Sequence, residues 1–173
     1  MLPVCNNAST DDEDSINLLT TLLIRYPEIC SVIYTGHRSR LRLRFILNRP
    51  LSKEDYQYFL TEIRNCHKSY IYYAKADEPL NFEVKYQEGP GIGVVDLVRD
   101  TTTLTRQEID FLIKYMQERF SAQLEYDNLD LPEDDLLVQD NLINHTLERL
   151  KLKYTQYNII AVREEGRVLV FKR

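Results

Sequence analysis

Cysteine is scarce in this sequence, and its spacing argues against both a disulfide framework and a zinc site. The chain has three cysteines, an odd number, at Cys5, Cys30 and Cys66. None of them belongs to a C-x-x-C pair, which disulfide-rich and zinc-binding sequences commonly carry. Reduced, unpaired thiols are typical of the cytoplasm. We therefore expect a cytoplasmic protein that holds no structural metal.

Long apolar runs and secretion signals are also lacking. No uninterrupted apolar stretch approaches the roughly 18 residues that a spanning helix requires. The opening segment MLPVCNNASTDDEDS is acidic, and it lacks the basic region followed by an apolar region that marks a secretory leader. The sequence thus predicts a globular protein without a membrane partner.

Glycine is rare, and three of the five glycines fall within GPGIG at residues 89–93. A phosphate-binding loop needs a helix immediately after its glycines, so that backbone amides meet the phosphate. Here the β-rich run VVDLV follows instead, and no G-K-[ST] occurs. The glycines therefore indicate the turn of a hairpin.

Catalytic motifs are missing as well. The histidines, His37, His67 and His145, show no H-E-x-x-H or other zinc-binding spacing, and no G-x-S-x-G occurs. Cys66 and His67 are adjacent on a predicted helix, where neighbouring side chains diverge. We expect a core-facing thiol beside an exposed imidazole. No catalytic, cofactor-binding or metal-binding residue is assigned, and an enzyme is the less favoured interpretation.

Two predicted helices begin in the same way. Ser52 can cap one helix, with Asp55 three residues later, and Thr105 can cap the other, with Glu108 three residues later. Both helices then repeat apolar residues at the i, i+3, i+4, i+7 spacing of one buried stripe. The matching residues are Tyr56, Phe59, Leu60 and Ile63 in the first helix, and Ile109, Leu112, Ile113 and Met116 in the second.

This correspondence suggests an internal repeat. Each half is predicted to run strand, turn, strand, helix, strand, over residues 30–73 and 83–126. A helix and a hairpin flank the pair on each side. Hairpins imply antiparallel pairing. The predicted fold is α+β, with a mostly antiparallel sheet of about eight short strands, four helices and two pseudo-repeated ββαβ units.

Charge is distributed unevenly and divides the chain. The net charge of the chain is −5, and ten acidic residues lie in the two runs 11–14 and 125–135. The rest of the chain has 17 acidic and 22 basic residues, so it is positively charged. We predict an acidic N-terminal tail at 1–14, a core at 15–126 and an acidic linker at 127–135. A C-terminal helix and hairpin at 136–173 would pack on that core, since so short a segment barely forms its own.

One stretch, HRSRLRLRFILNR at residues 37–49, is distinctive. In an extended strand successive side chains alternate between faces, so its leucines face a core and its arginines form a row about 7 Å apart on the other side. The row comprises Arg38, Arg40, Arg42 and Arg44. Guanidinium groups suit carboxylate or phosphate partners. A purely structural role, with acids such as Glu83 facing the row, is the main alternative.

These features favour a non-catalytic cytoplasmic interaction or regulatory module. It would bind a protein partner, or a second copy of itself, through a sheet face or an edge strand. The predicted contact residues are the four arginines together with Tyr70 and Tyr72. The alternative is binding of RNA or single-stranded DNA by the same arginine row, with nearby tyrosines stacking on bases.

Overall fold

The computed structural model describes residues 10–126, 133–152 and 155–173. Within these ranges the protein is α+β, with four helices and one antiparallel sheet of six strands. The elements are α1 (Thr10–Arg25), β1 (Ser31–Thr35), β2 (Arg40–Leu47), α2 (Lys53–Tyr73), β3 (Phe82–Gly89), β4 (Ile92–Asp100), α3 (Arg106–Arg119), α4 (Glu133–Leu150), β5 (Asn158–Glu164) and β6 (Arg167–Lys172). A short 3-10 turn, Gly36–Arg38, joins β1 to β2.

The strands lie in the order β3-β4-β2-β1-β5-β6. Three hairpins supply three of the pairings, and β2–β4 and β1–β5 join the hairpins to one another. In the β1–β5 pairing Val32 lies opposite Ala161. The C-terminal hairpin therefore extends the same sheet as the preceding strands. β2 is an interior strand, so its arginines do not protect an open edge.

Alternation along β2 sets the two faces of the sheet. Leu41, Leu43, Phe45 and Leu47 are buried, while the residues that alternate with them are partly exposed. The buried side chains join one apolar core with residues of all four helices. Every second side chain of β2 packs against the apolar stripes of the helices. The described helices therefore lie on one face of the sheet.

Fewer strands form than the sequence predicts, and the ββαβ repeat is not confirmed. Ile71 and Tyr73, expected in a strand, are the last turn of α2. Leu124, expected in the matching strand, makes a single isolated bridge to Leu47. The run SYIYY has strand-forming residues, but its Ile71 continues the helical spacing of buried Ile63 and His67, so packing extends the helix.

Both predicted N-caps are present, although the acids three residues later act differently from expectation. Ser52 Oγ accepts a hydrogen bond from the Asp55 amide at 3.1 Å, and Thr105 Oγ1 accepts one from the Glu108 amide at 3.2 Å. The Glu108 carboxylate, however, turns into the core and binds Arg99 and His67. Its role is tertiary rather than local.

The acidic segments are only partly described. α1 begins at Thr10 and α4 at Glu133, so parts of the predicted tail and linker are helical. Residues 1–9, which include Cys5, and residues 127–132 lie outside the described residues. None of the helices described is both long and apolar enough to cross a membrane.

Candidate interaction surface

The arginines of β2 lie on the face of the sheet opposite the helices, which we name the open face. Arg40, Arg42 and Arg44 alternate with the buried leucines, and the side chain of each is about one-third exposed. None of the described helices covers this face. Arg38, predicted in the same row, lies instead in the 3-10 turn before the strand and is exposed.

One of these arginines is engaged within the protein. Arg44 donates Nε to Asp96 Oδ1 at 2.8 Å and Nη2 to Asp96 Oδ2 at 2.9 Å. This paired contact raises the pKa of Arg44 and holds its guanidinium in place. Arg42 Nη1 lies 3.7 Å from Asp96, and Arg40 Nη1 lies 3.9 Å from Glu83. These two contacts are too long for direct hydrogen bonds, so both side chains keep donors for a ligand.

The basic side chains border a cavity of about 210 Å³, which we name the basic cavity. It is lined by five side chains that carry or can carry positive charge, together with Thr35 and Val98; the five are His37, Arg38, Arg40, Arg42 and Lys85. Among the described residues, two acids, Glu83 and Asp96, are in ion-pair contact with this group. Asp96 is already matched by Arg44, which leaves Glu83. Hydrogen bonding from Asn81, helped by Lys85 and Arg40, lowers the pKa of Glu83. The basic cavity therefore carries a clear excess of positive charge at neutral pH.

The turn that carries His37 and Arg38 is held rigidly. The Gly36 amide donates to the Tyr157 carbonyl at 3.2 Å, and the Ser39 carbonyl accepts from the Thr101 amide at 2.8 Å. Ser39 adopts a left-handed conformation with φ 50°, closing the turn with a hydrogen bond to Gly36. The backbone of this turn is therefore in place before any ligand binds, so ligand binding does not have to order the turn itself.

An apolar patch adjoins the basic side chains on the open face. It consists of partly exposed side chains of β1, β5 and β6: Ile33, Ile160, Val162, Leu169 and Phe171. Phe171 is 51% exposed. Strand register places Arg42 opposite Ile33, Ile33 opposite Ile160, and Ile160 opposite Phe171. A single cross-strand row therefore joins the basic cavity to the apolar patch.

The two predicted tyrosines are not on this surface. Tyr70 lies on α2 and stacks on Phe111 of α3, with ring centroids 4.6 Å apart. Tyr72 is 77% exposed near the end of α2 and contacts Tyr73 edge-on. Because α2 and α3 pack against the other face of the sheet, the structure does not bring these tyrosines together with the arginines.

A second cavity, of about 630 Å³, opens between α2 and α3. Its lining is mostly apolar and includes Cys66, Tyr70 and Phe111. Burial raises the pKa of the Cys66 thiol, which disfavours the nucleophilic thiolate. The geometry therefore gives no reason to assign Cys66 a nucleophilic role in this cavity.

A buried polar network was missed by sequence reasoning. Arg99 of β4 donates to both Glu108 oxygens and to Asp100 Oδ1, at distances of 2.7–3.1 Å. His67 is 3% exposed, not exposed as predicted; it stacks on Phe82 and its Nε2 lies 3.1 Å from Glu108 Oε2. Since an ionised carboxylate only accepts, Nε2 carries the hydrogen. The network ties α2 and α3 to the sheet.

Comparison with protein-family models, with curated proteins and with solved structures finds no match to this chain. Within the residues described, no three His, Cys, Asp or Glu side chains lie together so that they could hold a metal ion. Neither Cys30 nor Cys66 forms a disulfide. Function is therefore inferred from the open face itself.

We predict that Asp96→Asn will strengthen anion binding at the open face by several-fold. Asp96 is the internal anion that engages Arg44 and lies 3.7 Å from Arg42, so neutralising it makes both guanidinium groups available. Titration with an acidic peptide, followed by fluorescence anisotropy, measures the change. Asp77→Asn, at an exposed position in the loop after α2, is the matched control. Equal affinities for wild type and Asp96→Asn would contradict the prediction.

We also predict that the protein loses stability as the pH falls below about 4. Burial by itself would raise the pKa values of Glu108 and Asp100, but their hydrogen bonds and the charge of Arg99 outweigh it and lower both. A carboxyl with a depressed folded-state pKa contributes stability above its unfolded value, about 4, which is lost on further acidification. Urea unfolding across this range measures the slope, and carboxyl-carbon NMR titration reads the two pKa values directly. Ordinary pKa values for both groups would refute this.

Proposed function

We propose that this protein is a non-catalytic cytoplasmic interaction module that binds an acidic segment of a protein partner on the open face. The observation that carries the proposal is the cross-strand row from Arg42 through Ile33 and Ile160 to Phe171. It places a preformed cationic cavity beside an unpartnered apolar patch. Interfaces commonly combine such an apolar centre with charged groups that steer and orient the partner.

The geometry limits the size of the partner segment. Arg42 and Phe171 are separated by three strand spacings, or about 14 Å at roughly 4.8 Å each. An extended chain advances about 3.3 Å per residue, so roughly four residues cover that distance. A short segment can therefore place a negative group in the basic cavity and an apolar side chain on the patch.

Nucleic-acid binding is less well supported by the same surface. Single-stranded nucleic acid favours a continuous basic groove with aromatic rings for base stacking. Here Arg44 is neutralised by Asp96, Glu83 interrupts the basic surface, and the predicted tyrosines lie on the helical side. The basic groups gather in one cavity rather than along a track.

Self-association through an edge strand is a further candidate. The sheet has two edges, β3 and β6. β3 carries exposed or partly exposed charges, such as Lys85 and Glu88, which oppose edge pairing. β6 carries the half-exposed Phe171 between its terminal charges Arg167 and Lys172, and is the edge with an apolar contact to offer. Sedimentation velocity over a range of concentrations detects such a dimer and identifies whether it competes with the partner.

Selection from a random peptide library tests the proposal. We expect selected peptides to contain both acidic and apolar residues, since both halves of the open face should contribute. Arg42→Ala and Phe171→Ser should each weaken their binding by about tenfold, the usual effect of removing a well-placed contact. Circular dichroism and thermal unfolding confirm that each variant is folded.

Two substitutions on the helical side provide matched controls: Arg64→Ala removes an exposed arginine of α2, and Leu137→Ser removes a 63% exposed apolar residue of α4. Both should leave peptide affinity unchanged. Peptides that bind regardless of Arg42 and Phe171 would refute the proposal. Anisotropy with labelled single-stranded RNA and duplex DNA, at low and physiological salt, tests the alternative. Salt-sensitive binding that requires Arg42 would favour nucleic acid.

A further inference from the structure

We propose that the basic cavity recognises a phosphoryl group carried by the partner segment, so that phosphorylation of the partner promotes binding. This inference rests on the proposed function and specifies the chemistry of the ligand. It concerns the cavity lined by His37, Arg38, Arg40, Arg42 and Lys85.

The charge of the cavity exceeds what one carboxylate neutralises. Arg38, Arg40, Arg42 and Lys85 carry four positive charges at neutral pH, and Glu83 supplies one negative charge among them. Asp96 adds no net charge, because Arg44 matches it with two hydrogen bonds. A phosphoryl group with a charge near −2 balances the remaining excess better than a carboxylate does.

The arrangement of donors leads to the same ligand. The basic lining groups come from three elements, the 3-10 turn, β2 and β3, and therefore border the cavity at separate positions rather than at one residue. A phosphoryl group offers three strong acceptor oxygens, which donors spread around a cavity can share. A planar carboxylate is better matched by one guanidinium, as Asp96 is by Arg44.

The fold holds part of the cavity in place. Val98, 3% exposed, is a packed residue of β4 that lines the cavity beneath the basic side chains. Arg38 has no ion-pair partner among the residues that the structure describes, so its donors are available. The turn bearing His37 and Arg38 is pinned by Tyr157 and Thr101. The site is thus positively charged and is built on backbone that the fold already holds in place.

The test begins with small anions. Amide chemical shifts of the protein are followed by NMR during titration with inorganic phosphate and, separately, with acetate at equal ionic strength. We expect saturable shifts confined to residues 35–42, 83–86 and 96–99, around the groups that line the cavity, with phosphate binding at least about tenfold tighter, as additional charged hydrogen bonds imply. Arg38→Ala/Arg42→Ala should abolish the difference, whereas Arg64→Ala should preserve it.

Peptides then identify the carrier. A phosphoserine peptide with leucine four residues away is compared with its serine and glutamate forms and with free phosphate. We expect the phosphopeptide to bind most tightly and to lose affinity in Phe171→Ser, which free phosphate should not. Free phosphate binding as tightly as the phosphopeptide would overturn the partner assignment.

Further outcomes separate the two proposals. Phosphate binding no tighter than acetate, or shifts spread over the whole surface without saturation, would overturn the phosphoryl site. If the serine and glutamate peptides still required Arg42 and Phe171, the open face would remain the interaction surface. Tighter binding of a phosphodiester oligonucleotide than of the phosphopeptide, lost in Arg38→Ala/Arg42→Ala, would overturn both proposals.

Discussion

Replacing Arg99 by methionine should lower the free energy of unfolding by about 3–5 kcal/mol, the usual loss when one partner of a buried ion pair is removed. Arg99 is 3% exposed, and all five of its N–H donors have acceptors: both Glu108 oxygens, Thr103 Oγ1, and the carbonyl and carboxylate of Asp100. Methionine fills similar volume but leaves two carboxylates without their cation. Equilibrium urea unfolding followed by circular dichroism measures the change.

Two further variants make this result interpretable. Arg64→Met makes the same replacement at an exposed position of α2 and should change stability little. Arg99→Lys keeps the charge but cannot reproduce the paired contact with Glu108, so an intermediate loss is expected. If Arg99→Met fails to fold, the lysine variant still gives a value. A loss below about 1 kcal/mol for Arg99→Met would show that the network is dispensable.

Replacing Gly36 by alanine should destabilise the protein by about 1–3 kcal/mol and impair anion binding, since an added methyl group overpacks the site. A Cβ at Gly36 would lie 2.5 Å from the carbonyl oxygens of both Thr155 and Tyr157. Backbone atoms cannot rotate away as side chains can, so the turn or the segment before β5 must shift. Thermal unfolding and phosphate titration by NMR measure the two effects.

Gly89, the last residue of β3 before the turn of the β3–β4 hairpin, is the matched control. A Cβ there would meet Ile92 side-chain atoms, the nearer at 2.9 Å, and a side chain can adjust. Gly89→Ala should therefore cost less than Gly36→Ala and leave anion binding intact. Equal destabilisation by the two variants would mean that the contact with Thr155 and Tyr157 does not constrain the turn.

Features that depend on neighbouring residues, such as strand alternation and helix capping, could be predicted from the sequence. Alternation along residues 40–47 predicted which side chains face the core, and the geometry agrees for Leu41 and Leu43 against Arg40 and Arg42. The caps of α2 and α3 likewise depend on a few adjacent residues, and both form. Period and capping are visible in sequence because each depends on near neighbours.

Contacts between distant residues account for the rest. Asp96 and Lys85 reach the arginines only through the register of β2, β3 and β4, which no short pattern encodes. Glu108 was assigned a local role because Arg99 and His67 become its neighbours only in the fold. A lone Arg in a strand as apolar as GVVDLV was the available hint of a buried partner.

The position of Tyr70 and Tyr72 could not be read from the sequence for a different reason. SYIYY fits a strand by residue type and a helix by spacing, and nothing within the segment decides between them. The helix forms because Ile71 extends the buried side of α2 below Ile63 and His67. Tyr70 then lies against Phe111, far from any role in the open face.

The pairing of β1 with β5 also has a consequence for biosynthesis. Val32 lies opposite Ala161, so β1 leaves the ribosome well over a hundred residues before its neighbour. During that interval one edge of β1 lacks the strand that later satisfies its amides and carbonyls. Nascent chains with such unpaired edges are prone to association and are recognised by chaperones. Translation stalled before β5 should therefore yield an insoluble product, even though both β-hairpins before it have already been made.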